Sequence, residues 1–312
     1  MVLLAVGSGM MSSGVTRNFR DRHFGHVWVF FMAGLASEAR RIAMLVQECR
    51  MTDELTSDAI TASFRLTQRR RGHRFSVDDL ATAWEAARVA APETASFLDM
   101  GCGVGSVLLM VAWRLPAARC FGIEAQDVSM DLARRNVSEN GLGDRVRLLH
   151  GDLREVTLDW PHGPCALVTG TPPYLPLGTA SASPDPQRAA ARIELRGGVE
   201  DYLAAAARVL SAEGVVVLCS DGRAPERVIR GAAAADLAPV RRLDVVPKAG
   251  RPPLFSVWTC ARSTHAAAAG ALDHAELIMR DERGERTEAS QAMRRAFGLG
   301  EDPRTVTIGR AT

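Results

Sequence analysis

The sequence lacks a long apolar run, a closely spaced cysteine pair and a substantial net charge. The run that comes nearest to a membrane segment, VWVFFMAGLA from Val27, has ten residues, whereas a membrane-spanning helix needs about twenty. The six cysteines are too far apart for the usual metal-binding or redox motifs, and several lie in apolar, strand-like stretches. We therefore expect buried free thiols in a reducing compartment, no bound metal and no membrane span.

Charge is distributed unevenly along the chain. The formal net charge is +2, but six of the 38 basic residues and only three of the 36 acidic ones lie among the first fifty residues. The remainder is therefore close to neutral. A protein that binds nucleic acids broadly is usually much more basic, so any RNA contact has to come from a local patch.

Hydrophobic patterning divides the chain into three parts. Residues 1–50 show no sustained period, and we expect an irregular extension there, with Met51 as a candidate for the native start. Residues 51–265 are regular and long enough to bury a substantial core. Residues 266–312 begin with an alanine-rich linker, after which the pattern predicts a hairpin turning at Gly284 and a short helix.

Apolar strands alternate with helical stretches in the central part. A helix is predicted from Thr52 to about Phe64, followed by a basic loop, TQRRRGHRFS, and a helix that begins near Asp78. Strand and helix patterns then alternate as far as the strand LFSVWTCA. This alternation predicts an α/β fold, with a Rossmann-like, mostly parallel sheet covered by helices on both faces. Ligands of such sheets bind at the carboxyl ends of the strands.

The strand SFLDM runs into a glycine-rich turn, DMGCGVGS, that opens directly into a helix. Glycines let the backbone approach a ligand closely, and a helix start supplies free N–H groups. A dinucleotide-binding fold uses a similar turn, with an acid about twenty residues later, and Glu124 stands at that distance. Two features favour another ligand: the third glycine is Gly105, one position early, and Asp99 precedes the turn. A carboxylate there suits an ammonium or a sulfonium and repels a pyrophosphate.

The motifs DMGCGVG, GIEAQ, GDLRE and TPPY occur in this order at predicted strand ends, and together they resemble the class I S-adenosylmethionine-dependent methyltransferases. The resemblance implies a seven-stranded sheet and S-adenosylmethionine as the cofactor. It also implies that the glycine turn holds the methionine part, the acid after the second strand the ribose hydroxyls, and the acid after the third strand the adenine. The cofactor-binding residues expected on this basis are Asp99, Gly101, Cys102, Gly103, Gly105, Glu124, Ala125, Asp152 and Leu153. A nicotinamide-dependent oxidoreductase is the alternative from another enzyme class.

A narrower resemblance covers roughly residues 60–260 and includes the segments QRRRGHRFSVDDLATAW and DPQRAAARIELRGGVEDYL. These segments are similar to the bacterial methyltransferases that modify the exocyclic amine of an adenine beside the anticodon of a valine tRNA. That family has a Gly-Tyr-Arg-Phe-Ser motif where this chain has Gly72–Ser76, with His73 in the tyrosine position. The residues that the resemblance places on the substrate side are Arg74 and Phe75.

The segment TPPY departs at its first residue from the Asn-Pro-Pro-Tyr motif of that family. In the family, the asparagine oxygen and the first proline carbonyl accept the two amine hydrogens, and the aromatic ring stacks on the flat substrate. Thr171 is shorter, and its hydroxyl both donates and accepts hydrogen bonds. One acceptor is therefore weakened or lost, and losing one oriented group can cost about a hundredfold in rate. The expected catalytic residues are Thr171, Pro172, Pro173 and Tyr174.

These patterns predict an N-methyltransferase that acts on a planar amine nitrogen, with an adenine in structured RNA such as tRNA as the first choice. The basic run Arg69–Arg74 favours RNA. Protein glutamine, which enzymes with the same proline motif methylate, is the alternative within the class, and a non-catalytic module that binds the cofactor and an RNA or protein partner is a third. We expect a monomer. We place it in the cytoplasm because the cofactor is cytosolic, although the arginines before Val27 also suit a signal peptide.

Overall fold

The computed structural model describes residues 54–157, 160, 162–179, 181 and 183–300 of the 312-residue chain. The predictions for residues 1–50, including the apolar run at Val27, lie outside these ranges. Within the ranges the strands are β1 (Leu55–Ala59), β2 (Arg65–Arg69), β3 (Ser96–Met100), β4 (Arg119–Glu124), β5 (Val146–His150), β6 (Cys165–Gly170), β7 (Leu210–Asp221), β8 (Leu237–Val246), β9 (Phe255–Arg262) and β10 (Asp273–Ile278). The α-helices are α1 (Val77–Val89), α2 (Ser106–Arg114), α3 (Asp127–Glu139), α4 (Pro186–Arg192), α5 (Val199–Val209), α6 (Pro225–Ala234) and α7 (Glu288–Arg295).

Strands β3 to β10 form one sheet with the order β10-β8-β9-β7-β6-β3-β4-β5. Within this sheet only β9 runs antiparallel to its neighbours. Helices α1, α2 and α3 pack on one face, and α5 and α6 pack on the other. Neighbouring residues of a strand contribute to opposite cores, as Phe97 and Leu98 do on β3. The predicted Rossmann-like α/β fold is confirmed.

The sheet has eight strands instead of the predicted seven, because β10 extends it beyond β8. Strand β10 pairs in parallel with β8 from Asp273 to Ile278, and Leu277 is buried against the core. This strand belongs to the segment expected to form a C-terminal appendage. The expected hairpin is limited to one bridge between Arg280 and Arg286 around the turn at Gly284. The predicted short helix is α7.

The helix predicted from Thr52 to about Phe64 is wrong, since β1 and β2 form an antiparallel hairpin there. The reason lies in α3, whose side chains pair with the backbone of β2. Asn136 accepts a hydrogen bond from the N–H of Thr67 at 2.7 Å and donates to its carbonyl at 2.9 Å. Asn140 does the same with Arg65, at 2.9 and 2.8 Å. The two amides thus act as a substitute for a neighbouring strand.

Five cysteines lie within the described residues, and all five are buried and free, as predicted: Cys102, Cys120, Cys165, Cys219 and Cys260. A search of the described helices for one long and apolar enough to cross a bilayer finds none.

Candidate cofactor and substrate cleft

A cleft of about 910 Å³, counting its open mouth, lies at the carboxyl ends of β3, β4 and β6. This is the edge of the sheet at which the strand order predicts a ligand. The predicted site residues that line it are Phe75, Gly101, Cys102, Gly103, Glu124, Ala125, Asp152, Leu153, Thr171 and Pro173. Residues with widely separated sequence positions therefore meet in one cleft.

The glycine turn depends on backbone conformations that other residues rarely adopt. Gly101, Gly103 and Gly105 have φ angles of 62°, 57° and 93°, and Gly105 is the N-cap of α2. A Cβ atom on Gly101 would lie 2.2 Å from the hydroxyl oxygen of Tyr202, so a side chain does not fit there. Gly105 shapes the turn from outside the cleft lining.

The carboxylate of Glu124 holds the turn from the end of β4. It accepts hydrogen bonds from the N–H of Gly103 at 2.9 Å and from the N–H of Gln126 at 2.7 Å. Burial is the largest influence and raises the pKa of Glu124 above its ordinary value, against the lowering effect of these hydrogen bonds. Glu124 therefore fixes the shape of the turn and places a carboxyl group in the cleft lining.

Two further buried carboxyls lie beside the turn. Asp99 is beneath it, outside the cleft lining, and accepts a hydrogen bond from the hydroxyl of Thr169 at 2.7 Å, while burial raises its pKa to about 7. Asp79 on α1 lines the cleft, and burial, followed by the charge of Asp78, raises its pKa to about 8. Asp79 was not expected from the sequence as a site residue. The carboxylate of Asp79 accepts a hydrogen bond from the backbone N–H of Ser76 at 2.9 Å, as part of the capping box of α1. This capping box was the only feature of the sequence that marked Asp79.

The floor of the cleft therefore favours a positively charged ligand. Within the described residues, Asp79, Asp99 and Glu124 form no ion pair with arginine, lysine or histidine. A cationic ligand compensates these buried charges, whereas a pyrophosphate would be repelled. The residues present thus fit the ammonium and sulfonium of S-adenosylmethionine.

The part of the cleft that was predicted to hold the adenine is formed by the turn after β5. Gly151 donates its N–H to the carbonyl of Glu124 at 3.0 Å, which brings this turn against the end of β4. Asp152 pairs with Arg154 at 2.6 Å, and this hydrogen bonding lowers the pKa of the Asp152 carboxyl. Asp152 is therefore ionised and anchored, and Leu153 beside it supplies an apolar surface.

The proline segment contributes two of its four predicted catalytic residues to the cleft lining, Thr171 and Pro173. Pro172 and Tyr174 are not part of that lining. The hydroxyl of Tyr174 donates instead to Cys219 Sγ at 2.8 Å and lies 3.3 Å from an oxygen of Asp78. Stacking of Tyr174 on a substrate thus stays a prediction, and the structure directs its hydroxyl towards β7 and α1.

Of the segment predicted to lie on the substrate side, His73 and Phe75 line the cleft, while Arg74 lies elsewhere. The guanidinium of Arg74 pairs with Asp58 at 2.9 Å and donates to Thr56 at 2.7 Å, on β1. Burial lowers the pKa of His73, although the charge of Asp78 opposes this, so the ring is neutral near pH 7.

The basic run from Arg69 to Arg74 is largely neutralised, in contrast to the expectation from sequence. Arg69 pairs with Asp185 at 2.7 Å and Arg70 with Glu54 at 2.8 Å, in addition to the pair of Arg74. The partners come from distant parts of the sequence or from the opposite strand of the hairpin, so the run alone did not reveal them.

Comparisons with known proteins agree with this site. Residues 97–177 match a family model described as a methyltransferase domain. These residues therefore form a methyltransferase domain, and the matches support the predicted class I S-adenosylmethionine-dependent methyltransferase. A ribosomal protein uL3 glutamine methyltransferase of Bordetella pertussis is 32% identical over 59% of this chain and 65% of its own length. A tRNA1(Val) (adenine(37)-N6)-methyltransferase of Porphyromonas gingivalis is 31% identical over 44% of this chain and 53% of its own length.

The methyltransferase domain also has the fold of a solved structure. The crystal structure of a predicted O-methyltransferase from Agrobacterium tumefaciens is 17% identical, with a TM-score of 0.53, and the match covers 69% of this chain and 95% of that one. The chain spans between about half and two thirds of the length of the curated relatives named above.

Several cleft residues of the methyltransferase domain were not identified from the sequence. Besides Asp79 they include Tyr202, which packs under the glycine turn, and Gln187 on α4, which donates to Ser129 Oγ at 3.0 Å. Arg196 also lines the cleft. No local pattern marks these positions, because each reaches the cleft only through the packing of its helix or turn.

Proposed function

We propose that this chain is an S-adenosylmethionine-dependent N-methyltransferase whose substrate is a planar amine nitrogen, with an adenine in structured RNA as the first choice. The observation that carries the proposal is the composition of the cleft. Its floor holds buried carboxyls that favour a cation, and Thr171 and Pro173 of the proline segment line the same cleft.

The cofactor residues have separate tasks. The glycine turn and Asp79 receive the methionine part, Glu124 the ribose hydroxyls, and Asp152 with Leu153 the adenine. When bound, S-adenosylmethionine supplies an electrophilic methyl group on a sulfonium. The buried floor keeps water away from this group and compensates its positive charge.

The substrate amine needs acceptors, because its lone pair is delocalised into the ring or carbonyl that carries it. The Thr171 hydroxyl oxygen, on a residue that lines the cleft, accepts one amine hydrogen. The resemblance assigns the second hydrogen to the carbonyl of Pro172, and the two contacts together favour a lone pair localised on nitrogen. Transfer of the methyl group to nitrogen releases one proton. His73, neutral because of burial and part of the same cleft, is the group that accepts it.

Glutamine in a protein is the second candidate substrate. The Bordetella pertussis relative is a glutamine methyltransferase and the Porphyromonas gingivalis relative acts on an adenine of tRNA. Both amides and adenines present a planar nitrogen, so the amine acceptors suit both. RNA is placed first because Gly72–Ser76 resembles the Gly-Tyr-Arg-Phe-Ser motif of the tRNA methyltransferase family.

Calorimetry with S-adenosylmethionine and with its demethylated product tests the cofactor assignment. Wild type should bind both, and Glu124→Ala should weaken binding at least tenfold, the effect of losing one charged hydrogen-bonding group. Glu213→Ala is the matched control, because its carboxylate is 86% exposed. No binding by wild type, or equal affinity for Glu124→Ala, would contradict the assignment.

Incubation of labelled cofactor with total tRNA, and separately with ribosomal and release-factor proteins, tests the substrate. Label in tRNA adenine supports the first choice, and label in protein glutamine supports the second. If cofactor binds but no polymer or metabolite pool accepts label, a non-catalytic binding module becomes the better account.

A further inference from the structure

Four arginines lie on the segments that border the cleft, and we call them the arginine rim: Arg71, Arg188, Arg192 and Arg196. Arg196 lines the cleft itself, and the charges of Arg188 and Arg192 contribute to the lowered pKa of His73. Arg188 donates to the carbonyl of Arg71 at 2.9 Å. The cleft mouth is thus bordered by helix α4, by the loop after β2 and by the segment before α5.

The charge of the arginine rim is not neutralised. Within the described residues, none of the four arginines forms an ion pair with a carboxylate. Three acids nearby are already paired: Asp185 binds Arg69 at 2.7 Å, and Glu194 and Glu200 both bind Arg227 at 2.6 Å. The rim therefore carries a positive field beside a floor that contains buried carboxyl groups.

We propose that the arginine rim binds the backbone phosphates of an RNA strand while the target base enters the cleft. This inference rests on the proposed function and assigns its RNA contact to residues other than the predicted run, of which only Arg71 belongs to the rim. Guanidinium groups bind phosphate oxygens through charge-assisted hydrogen bonds. Burying a charged phosphate beside these carboxyl groups would be costly, so the backbone stays at the mouth while only an uncharged base reaches the floor.

Two exposed leucines add an apolar surface to the same mouth. Leu177, 73% exposed, follows the proline segment, and Leu195, 50% exposed, lies between two arginines of the rim. The bridge between Leu175 and Ile193 holds these two segments side by side. Unstacked bases of an RNA loop can cover such a surface, which is the common form of sequence-specific RNA recognition.

The test uses the full chain, saturated with the demethylated cofactor product, and a fluorescent pool of total tRNA. Arg71→Gln and Arg192→Gln should each lower tRNA affinity about fivefold at 0.15 M salt and reduce the slope of log K against log salt by about one, the effect of one lost phosphate contact. Arg119→Gln is the matched control, because Arg119 is exposed at the amino end of β4, away from the cleft. It should leave both quantities unchanged.

Calorimetry of the cofactor on the same variants separates this proposal from the proposed function. Arg71 and Arg192 are outside the cleft lining, so their substitution should not change cofactor affinity. Equal tRNA affinity for wild type, rim variants and control would overturn the rim proposal. Failure of wild type to bind tRNA, together with methylation of protein, would overturn it too and leave the methyltransferase assignment standing. If the wild type fails to bind cofactor but its tRNA affinity still depends on the rim arginines, the proposed function is overturned and the rim proposal stands.

Discussion

Thr171 lines the cleft beside Pro173, and its side chain makes no hydrogen bond to the described residues. Its hydroxyl is therefore available to a substrate. We expect Thr171→Asn to keep or raise methyl transfer to adenine, because the amide oxygen reaches further as an acceptor. Thr171→Val, which has nearly the same shape and no hydroxyl, should lower kcat about a hundredfold. Rates with labelled cofactor and tRNA measure both effects.

Cofactor affinity serves as the control for these two variants. The cofactor affinity of both variants should stay within about twofold of wild type, because substitutions at partly exposed positions usually have small effects. Full activity of Thr171→Val would show that the hydroxyl accepts no amine hydrogen. Loss of the native reaction in Thr171→Asn would instead indicate a different acceptor chemistry.

Asp99 and Asp79 should make cofactor binding depend on pH. Their folded-state pKa values of about 7 and about 8 lie above the ordinary value of 3.8, so the folded protein binds more protons than the unfolded chain between about pH 4 and 8. The stability of the free protein should therefore fall as the pH rises through this range. A bound cation favours the ionised carboxylates, so the increase in melting temperature caused by cofactor should be larger at pH 8.5 than at pH 6.

Asp99→Asn identifies the source of this effect. The amide cannot ionise, so the pH dependence of the cofactor-induced shift should become flatter in this variant. If the cofactor-induced increase in melting temperature of the wild type becomes smaller as the pH rises, this result would contradict the assignment of a cationic ligand to this floor.

At the scale of elements, the tail is part of the core. Phe297, just after α7, is fully buried, its ring centroid lies 6.4 Å from that of Trp113, and its carbonyl accepts the N–H of Ala62 at 2.8 Å. Phe297→Ala should lower the free energy of unfolding by roughly 3–5 kcal/mol, the usual cost of such a cavity. Leu254→Ala, at a residue 57% exposed, should change it by less than about 0.5 kcal/mol. Denaturant unfolding that gives equal values for both would show that the tail does not contribute to the core.

For the whole molecule, the sheet and the cleft are built from residues between Glu54 and Gly300. We therefore propose that a chain beginning at Met51 folds and binds cofactor like the full chain. Thermal unfolding and calorimetry of both chains test this. A drop in melting temperature of more than about 4 °C, which corresponds to about 1 kcal/mol or more, would show that the first fifty residues stabilise the rest.

The sequence by itself determined the order of the strands from β3 to β9 and of the helices between them except α4, together with the glycine turn and the acids at the strand ends. These features are local: a glycine with positive φ, a helix cap and an apolar period are each set by neighbouring residues. Only the tertiary structure decided the features that depend on distant partners. The amides of Asn136 and Asn140 turn a predicted helix into a hairpin, and Asp58 draws Arg74 away from the substrate. Burial, which no local pattern measures, gives Asp79 its place in the floor and leaves Arg192 exposed at the mouth.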